Sequence, residues 1–266
     1  MVREVLEVKN EILKKYIDSY WYLGFLGEEQ PPMKLPPMGF PTMHIQFGER
    51  LNFYNYKHFT SESVLIGQFT KHVMLYPVRG IRFLGLNFKP YGLYNLFGFS
   101  PSAILNSAIE GASVFGESTI SRMTLLLTDK EMVIDAIPEI EEILLGFKSE
   151  KVVAQTCFDQ LVDQMVSEKG LVKIDDLLNQ KYSIRSFQRY FKEVIGISPK
   201  MFAKVLRHKF IMELLYDNPD LKWNDAILNG FYYDYSHLKK DFFAFTEQKP
   251  MEYLTVKNEF ASIILS

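Results

Sequence analysis

The chain has 266 residues, 47% of them hydrophobic and 23% charged, with a formal net charge of −2, the proportions of a folded globular protein. Its one cysteine, Cys157, excludes an intrachain disulfide framework and a cysteine-rich zinc site and suits a reducing cytoplasm. Residues 160–266 hold 15 Lys/Arg against 14 Asp/Glu, which excludes a uniformly basic nucleic-acid binder and leaves only one whose positive charge is gathered on a single face.

The N-terminus, MVREVLEVKNEILKK, alternates charged and apolar residues and has no unbroken apolar stretch, so no signal peptide is expected. No apolar run is long enough to span a bilayer, and the expectation is a cytoplasmic protein without a membrane partner. VKNEILKKYI (8–17) spaces Val8, Ile12, Tyr16 and Ile17 as a helix would. YWYLGFL (20–26) reads as a strand. QPPMKLPPMGFP (30–41), with five prolines and one glycine, reads as a loop without regular structure. MHIQF, LNFYNY, SVLIGQF, HVMLYPV and IRFLGLNF then follow as strands separated by turn residues, the pattern of an antiparallel barrel or sandwich.

After Pro90 the periodicity turns helical. FSPSAILNSAI offers Ser100 as N-cap and Pro101 in the first turn. Helices are predicted over 118–127 and 129–147, with Pro138 breaking or kinking the second. These helices are candidate dimer surfaces or covers for the barrel. From Val152 onward the chain reads as short helices. The predicted fold is α+β, with a cupin-like β-barrel domain and flanking helices over 1–149 and an all-α domain over 150–266.

A repeat organises the second half. Pro199 and Pro250 are 51 residues apart (250 − 199), and the same shift pairs Ser183 with Asp234, Phe187 with Leu238, Arg189 with Lys240, Phe191 with Phe242 and Phe202 with Tyr253. At about 100° per residue, Phe187, Phe191, Ile184 and Val194 form one apolar arc, while Arg185, Gln188, Arg189 and Lys192 lie opposite. Ser183 is the expected N-cap, Gly196 the C-cap, and Ser198-Pro199 the start of the next helix. In the second copy Tyr235, Leu238, Phe242 and Phe245 take the apolar arc. Ser236, Lys239 and Lys240 take the front, with His237 to one side and Asp234 as cap. Between the copies one helix runs from Pro199 to about Tyr216, roughly 27 Å long, a spacer able to hold two helices about one DNA turn apart. A front of Arg and Gln suits base recognition, since Arg pairs with guanine and Gln with adenine in the major groove. Any soluble amphipathic helix also shows polar residues outside, and it is the repetition that favours the tandem helix-turn-helix reading.

Enzymatic signals are sparse. His44, His58 and His72 recur every 14 residues but include no close pair of the kind a metal site uses, and no metal or cofactor is expected. Cys157, with Val153 and Leu161 four residues to either side, reads as a core thiol. There is no nucleophile elbow, phosphate-binding glycine loop or H-E-x-x-H, and the chain is not read as an enzyme. The N-terminal aromatics, Phe40, Phe47, Phe53, Tyr54, Tyr56, Phe59, Phe69, Tyr76, Phe83 and Phe88, fill a core or line a small-molecule pocket. Arg79 and Arg82 around Gly80 meet an anion or belong to a solvated turn.

Residues 160–256 resemble the DNA-binding domain of the AraC/XylS-type transcriptional regulators. The resemblance runs through S-x-R-x-F-Q-R-x-F-K-E-x-x-G-I-S-P (183–199), Arg207, LL (214–215), D-x-S-H-L (234–238), Phe242 and P-x-E-Y-L (250–254). It implies double-stranded DNA as partner, with RNA polymerase if the protein activates and a homodimer as a further partner. It implies base contacts from Arg185, Gln188 and Arg189 in the first unit and from Ser236 and Lys240 in the second. Ser183, Ser186, Lys192, His237 and Lys239 complete the expected DNA-binding set. The stretches ILKKYIDSYW (12–21), LPPMGFPTMHIQFGE (35–49) and 67–98 resemble the β-barrel sensor domain of regulators of Bacteroidetes type, which implies a small-molecule effector. The second unit departs from the family pattern. Ile227 and Phe231 stand where alanine and glycine are usual, Glu247 where glycine closes the helix, and Phe243 where the first unit has Lys192. That unit is therefore expected to supply chiefly phosphate contacts. A ligand-binding adaptor and a cupin-like metalloenzyme are the alternative readings.

Overall fold

The computed structural model describes residues 2–25, 32–49, 52–53, 62–76, 79–129, 132–150, 156–178, 183–217, 230–250 and 252. The N-terminal strands are β1 (Val2–Leu6), β2 (Ile17–Phe25), β3 (Met33–Leu35), β4 (Thr42–Gln46), β5 (Asn52–Phe53), β6 (Ser63–Ile66), β7 (Val73–Tyr76), β8 (Ile81–Phe88) and β9 (Ala108–Glu110). They form an antiparallel six-stranded sheet in the order β1-β2-β8-β4-β6-β9 and a three-stranded sheet in the order β3-β7-β5. The expected barrel thus takes the form of two sheets.

Alternation assigns the two faces of the large sheet. Met43, Ile45, Leu84, Leu86 and Phe88 enter the main core. It is closed by α1 (Gly92–Phe97), α2 (Ala112–Phe115), α3 (Glu117–Asp129) and α4 (Ile137–Gly146) through residues such as Leu93, Phe115, Met123 and Ile140. Thr42, His44, Phe83 and Asn87 point the other way, into a cavity also lined by Leu35 and Val73 of the small sheet. The layers are therefore helices, large sheet, cavity, small sheet. Of the two roles open to the helices of 118–147, covering the sheet is the one that their buried residues serve.

Several expectations are corrected. Residues 8–17 do not form an α-helix: only Leu13–Lys15 make a 3₁₀ turn, and β2 begins at Ile17. The Asn10 side chain accepts from the N–H groups of Ile12 and Leu13, while the buried Glu141 carboxylate accepts from those of Lys9 and Asn10. These bonds hold an extended turn in place of a helix. The proline-rich segment contains β3, which survives because it lies at the sheet edge with its prolines outside the three paired residues. Ser100 makes no side-chain cap to the 3₁₀ turn Pro101–Ile104; its hydroxyl donates to the Glu193 carbonyl at 2.6 Å. Pro138 begins a helix rather than breaking one, sitting in the first turn of α4 after a 3₁₀ turn over Val133–Ala136.

The C-terminal helices are α5 (Thr156–Ser167), α6 (Ile174–Leu178), α7 (Ile184–Ile195), α8 (Pro199–Asp217) and α9 (Tyr235–Thr246). Phe158, Val162 and Met165 are the buried stripe of α5, which turns the neighbouring Cys157 outward; this thiol is exposed, not core. Phe158, Phe187, Phe191 and Phe202 form an aromatic cluster at centroid distances of 5.4–5.8 Å, and Tyr91 of the N-terminal part belongs to the same core. Around it, the Tyr91 hydroxyl donates to Asp163 at 3.0 Å, Asn95 donates to both oxygens of Asp159 at 3.0 Å, and Tyr94 donates to Glu193 at 2.9 Å.

Burial at this junction pushes the Asp159 carboxyl up to about 6, with Asn95 opposing and the Asp163 charge adding. A carboxyl raised above its unfolded value binds its proton more tightly in the native state. Stability from this group is present below about pH 4 and is lost as pH rises toward 6. Asp159→Asn is expected to flatten the stability profile between those limits, as read by urea midpoints across pH; an unchanged slope would assign it to other carboxylates.

Candidate nucleic-acid interface

Both predicted reading helices are present and clamped by local chemistry. In α7 the Ser183 hydroxyl accepts from the Ser186 N–H at 3.2 Å. Gly196 closes the helix at φ 94° with its N–H on the Lys192 carbonyl. A side chain at Gly196 would also crowd Pro101, 3.2 Å from the position of a Cβ. In α9 the Asp234 carboxylate accepts from the His237 N–H at 2.7 Å, and Glu247 takes the closing position at φ 54°. The same left-handed cap is therefore built once with glycine and once without. Gly230 has φ 78° and Phe231 is buried with Ile211, Met212 and Leu238. The second turn thus uses the glycine one position early, freeing Phe231 for the core. Ile227 and Tyr253 lie outside the described residues.

Phe187, Phe191, Val194 and Ile195 bury one face of α7, while Ser183, Arg185, Ser186, Gln188, Arg189 and Lys192 are all exposed. In α9 Leu238, Phe242 and Phe245 are buried, and Ser236, Lys239 and Lys240 are exposed. His237 is only half-exposed, with its Nε2 at 3.7 Å from Asp241 and its ring edge-on to Tyr232, so it faces the core more than its assigned front. Ile184 and Tyr235, expected on the buried arcs, are instead 51% and 39% exposed, since both stand at the first position of their helices, and Tyr233 at 92% and Phe243 at 53% add further exposed apolar surface. Phe243 is exposed on the front in the slot of Lys192, where the sequence places it.

Helix α8 joins the units. Its first half gives Phe202, Val205 and Leu206 to the core of α5–α7, and its second half gives Ile211 and Met212 to the core of the second unit. At the crossover His208 is buried between Phe242 and Phe245, at 5.0 and 4.9 Å, and burial holds its imidazole neutral by lowering the pKa to about 3. Lys204 pairs with the buried Asp241 at 2.7 Å, tying α8 to α9.

The N-terminal part holds a cavity of roughly 100 Å³. Its walls include Trp21, Phe40, Phe69, Phe83 and His44, the last kept neutral by burial with a pKa of about 3. The Asn87 side-chain oxygen accepts from Trp21 at 3.2 Å, while the Thr42 hydroxyl donates to the Leu86 carbonyl at 3.0 Å with the Asn87 oxygen 3.3 Å away. Arg3 stands 6.0 Å over the Trp21 ring. The wall formed by β3 and the start of β7 also meets α9. Leu35 and Val73 line the cavity, while next to them the Lys34 ammonium donates to the Thr246 carbonyl at 3.0 Å and the His72 N–H to the Phe245 carbonyl at 2.6 Å. The C-terminal end of α9, where carbonyls lack helical partners, is thus held by the cavity wall. Gly39, at φ 85°, brings the same segment against Phe202, Val205 and Leu206 of α8.

Other sequence candidates go elsewhere. Arg82 donates to the Phe47 carbonyl at 3.3 Å and covers its ring, while Arg79 is exposed. His44 is buried and His72 half-buried; His58, Tyr54, Tyr56 and Phe59 lie outside the described residues. Among the described residues no three His, Cys, Asp or Glu side chains group as a metal site, and no helix is long and apolar enough to cross a membrane.

Residues 180–255 match the helix-turn-helix domain family of AraC type. The C-terminal part is a DNA-binding domain. With this helix-turn-helix domain the chain is a DNA-binding transcriptional regulator. Residues 10–110 match a domain family of unknown function, DUF6597. No curated protein matches the chain. Among solved structures, an apo variant of ToxT from Vibrio cholerae strain SCE256 is similar at 11% identity and TM-score 0.48, covering 90% of this chain and 98% of its own. ToxT in a second crystal form gives 10% and 0.47, covering 96% and 97%, and ToxT bound to an unsaturated fatty acid gives 11% and 0.44, covering 95% and 94%. At such values the likeness assigns no ligand.

The closing residue of α9 carries a prediction for this helix-turn-helix domain. A non-glycine residue held at positive φ costs about 1 kcal/mol or more. Glu247→Gly is expected to raise unfolding stability by about that amount, and Ser183→Ala to lower it by about 1 kcal/mol through loss of the cap. Equilibrium denaturation checks both, and a destabilised Glu247→Gly would mean that the glutamate makes contacts outweighing its strain.

Proposed function

We propose that this regulator is a cytoplasmic, sequence-specific protein that reads adjacent major-groove segments with α7 and α9 and senses a small molecule in its N-terminal cavity, the two functions dividing near residue 150. The observation that carries the DNA reading is the pair of capped helices fixed on one shared spine, each with its apolar face buried and its polar face in solvent. Arg185, Gln188 and Arg189 take the base edges in the first unit. Ser183, Ser186 and Lys192 meet phosphates. Ser236, Lys239 and Lys240 serve the second unit, with His237 supporting them from the side. No catalytic role or cofactor enters this reading. A homodimer, and RNA polymerase where the protein activates, are its further partners.

The sensing role is supported by the apolar cavity and by the residues on either side of the β3–β7 wall. An occupant pressing on Leu35 or Val73 moves the strands whose neighbouring residues hold the end of α9. Occupancy then shifts the presentation of the second reading helix relative to the first. ToxT has been solved with a fatty acid bound; here the cavity lining supports a small, largely apolar effector.

Selection of bound duplexes from a random DNA library tests the DNA reading. Wild type is expected to enrich a two-part motif, with half-motifs about one helical turn apart. Arg189→Ala is expected to cost roughly 1–3 kcal/mol and relax base choice at one position; undiminished discrimination between operator variants would remove Arg189 from the readers. Absence of any motif would move the chain to the adaptor reading. For the wall, Lys34→Ala is expected to raise amide exchange several-fold over 242–248 and leave 184–195 unchanged. Equal protection in both proteins would disconnect β3 from α9.

A further inference from the structure

The centre of the second reading face is a benzene ring. With Leu238 at zero and about 100° per residue, Phe242 lies near 40° and Phe245 near −20°, and all three are buried. Lys239 lies near 100°, Phe243 near 140°, Ser236 near 160° and Lys240 near 200°, and all four are exposed. Phe243 therefore sits between the lysines, in the slot that Lys192 fills on α7. A single exposed apolar residue is ordinary on a protein surface. This one is flanked on both sides by cations of the same face, and two further exposed aromatics, Tyr235 at 39% and Tyr233 at 92%, lie at the start of the same unit.

Its position is also fixed. The Phe243 carbonyl accepts the N–H of Glu247 at 2.8 Å, closing the helix, and the next carbonyls, Phe245 and Thr246, are held by His72 and Lys34. The exposed front, Ser236, Lys239, Phe243 and Lys240, carries two cations; of the neighbouring acids, Asp241 is buried against Lys204, Asp234 is the cap and the exposed Glu247 closes the helix. Such a face complements a polyanion rather than another folded protein.

On the reading of α9 as a major-groove helix, on which this inference rests, neither lysine makes the planar two-bond contact to a base edge that arginine makes. The apolar feature that the major groove offers is the thymine C5-methyl, present on one base in four. We propose that Phe243 is a specificity-determining residue that packs on a thymine methyl, so that the second unit selects sequence by apolar contact while Lys239 and Lys240 hold the flanking phosphates. The two units then read different chemistry: hydrogen-bonding edges through the arginines and glutamine of α7, a methyl group through the phenylalanine of α9. This goes beyond a second unit confined to phosphate contacts.

The test uses the full-length protein and the duplex that it selects from the library. Each thymine is replaced in turn by deoxyuridine, which removes the methyl and keeps the pairing. At one thymine of the second half-motif, wild-type affinity is expected to fall roughly fourfold, the worth of one buried methyl-sized group. Phe243→Ala, folded by circular dichroism because the ring is exposed, is expected to bind the thymine and uracil duplexes equally. Phe243→Lys, which restores the residue of the first unit, is expected to bind with a steeper salt dependence and no methyl preference. Arg189→Ala should retain the methyl preference, because its loss lies in the other half-motif. A two-part motif with no uracil-sensitive thymine, or one equally sensitive in Phe243→Ala, overturns the assignment of Phe243 and leaves the regulator standing; a partner protein would then be the ring's cover. Failure to select any motif overturns both.

Discussion

One helix belonging to two cores is the constraint on which the DNA-binding half depends. Helix α8 is about 28 Å of rigid rod, and its opposite halves are buried in different clusters. It can neither rotate nor slide without opening both. His208 shows how tight the crossover is, since an imidazole there is denied its charge and lies against two phenylalanine rings. Helices α7 and α9 are consequently placed by one object, and the angle between them is a property of the packed core rather than of a linker.

A chain with net charge −2 binding DNA looks paradoxical until the acids are located. Asp159, Asp163 and Glu193 accept hydrogen bonds from Asn95, Tyr91 and Tyr94 at the junction with the N-terminal part. Asp241 is buried against Lys204, and Asp234 is spent on a helix cap. These five acids are thus engaged in the scaffold, while Arg185, Arg189, Lys192, Lys239 and Lys240 stay in solvent. Geometry supplies the electrostatic face that composition does not.

Local physics made three caps legible: Ser183, Gly196 and Asp234 each act within one helical turn, so residue type and spacing identified them, whereas the strained Glu247 was located only through the family pattern that has glycine there. The 51-residue repeat added what one helix could not. The misread elements depended on remote partners. Residues 8–17 have helical spacing, yet Glu141, over a hundred residues away, holds their backbone in another shape. Five prolines argued against a strand at 33–35, and β7 supplied the ladder that permits one. Cys157 was placed in a core by neighbours at i ± 4, whereas Phe158 set the buried stripe. The cavity was visible only as a list of aromatics, because which of them meet is decided by the pairing of β2, β8, β4 and β6 and by the small sheet opposite.

The alternation along β3 puts two kinds of inheritance on adjacent codons. Leu35 looks into the cavity and Lys34 toward α9, and a strand exchanges its faces when its register slips by one residue. Point substitutions at Leu35 can retune what the cavity admits while the hold on the helix persists, and those at Lys34 can do the reverse. A single-residue deletion between the flanking proline pairs would scramble both at once. The cavity lining and the hold on α9 can thus each change by single substitutions, but the length of the strand that carries both has little freedom to change.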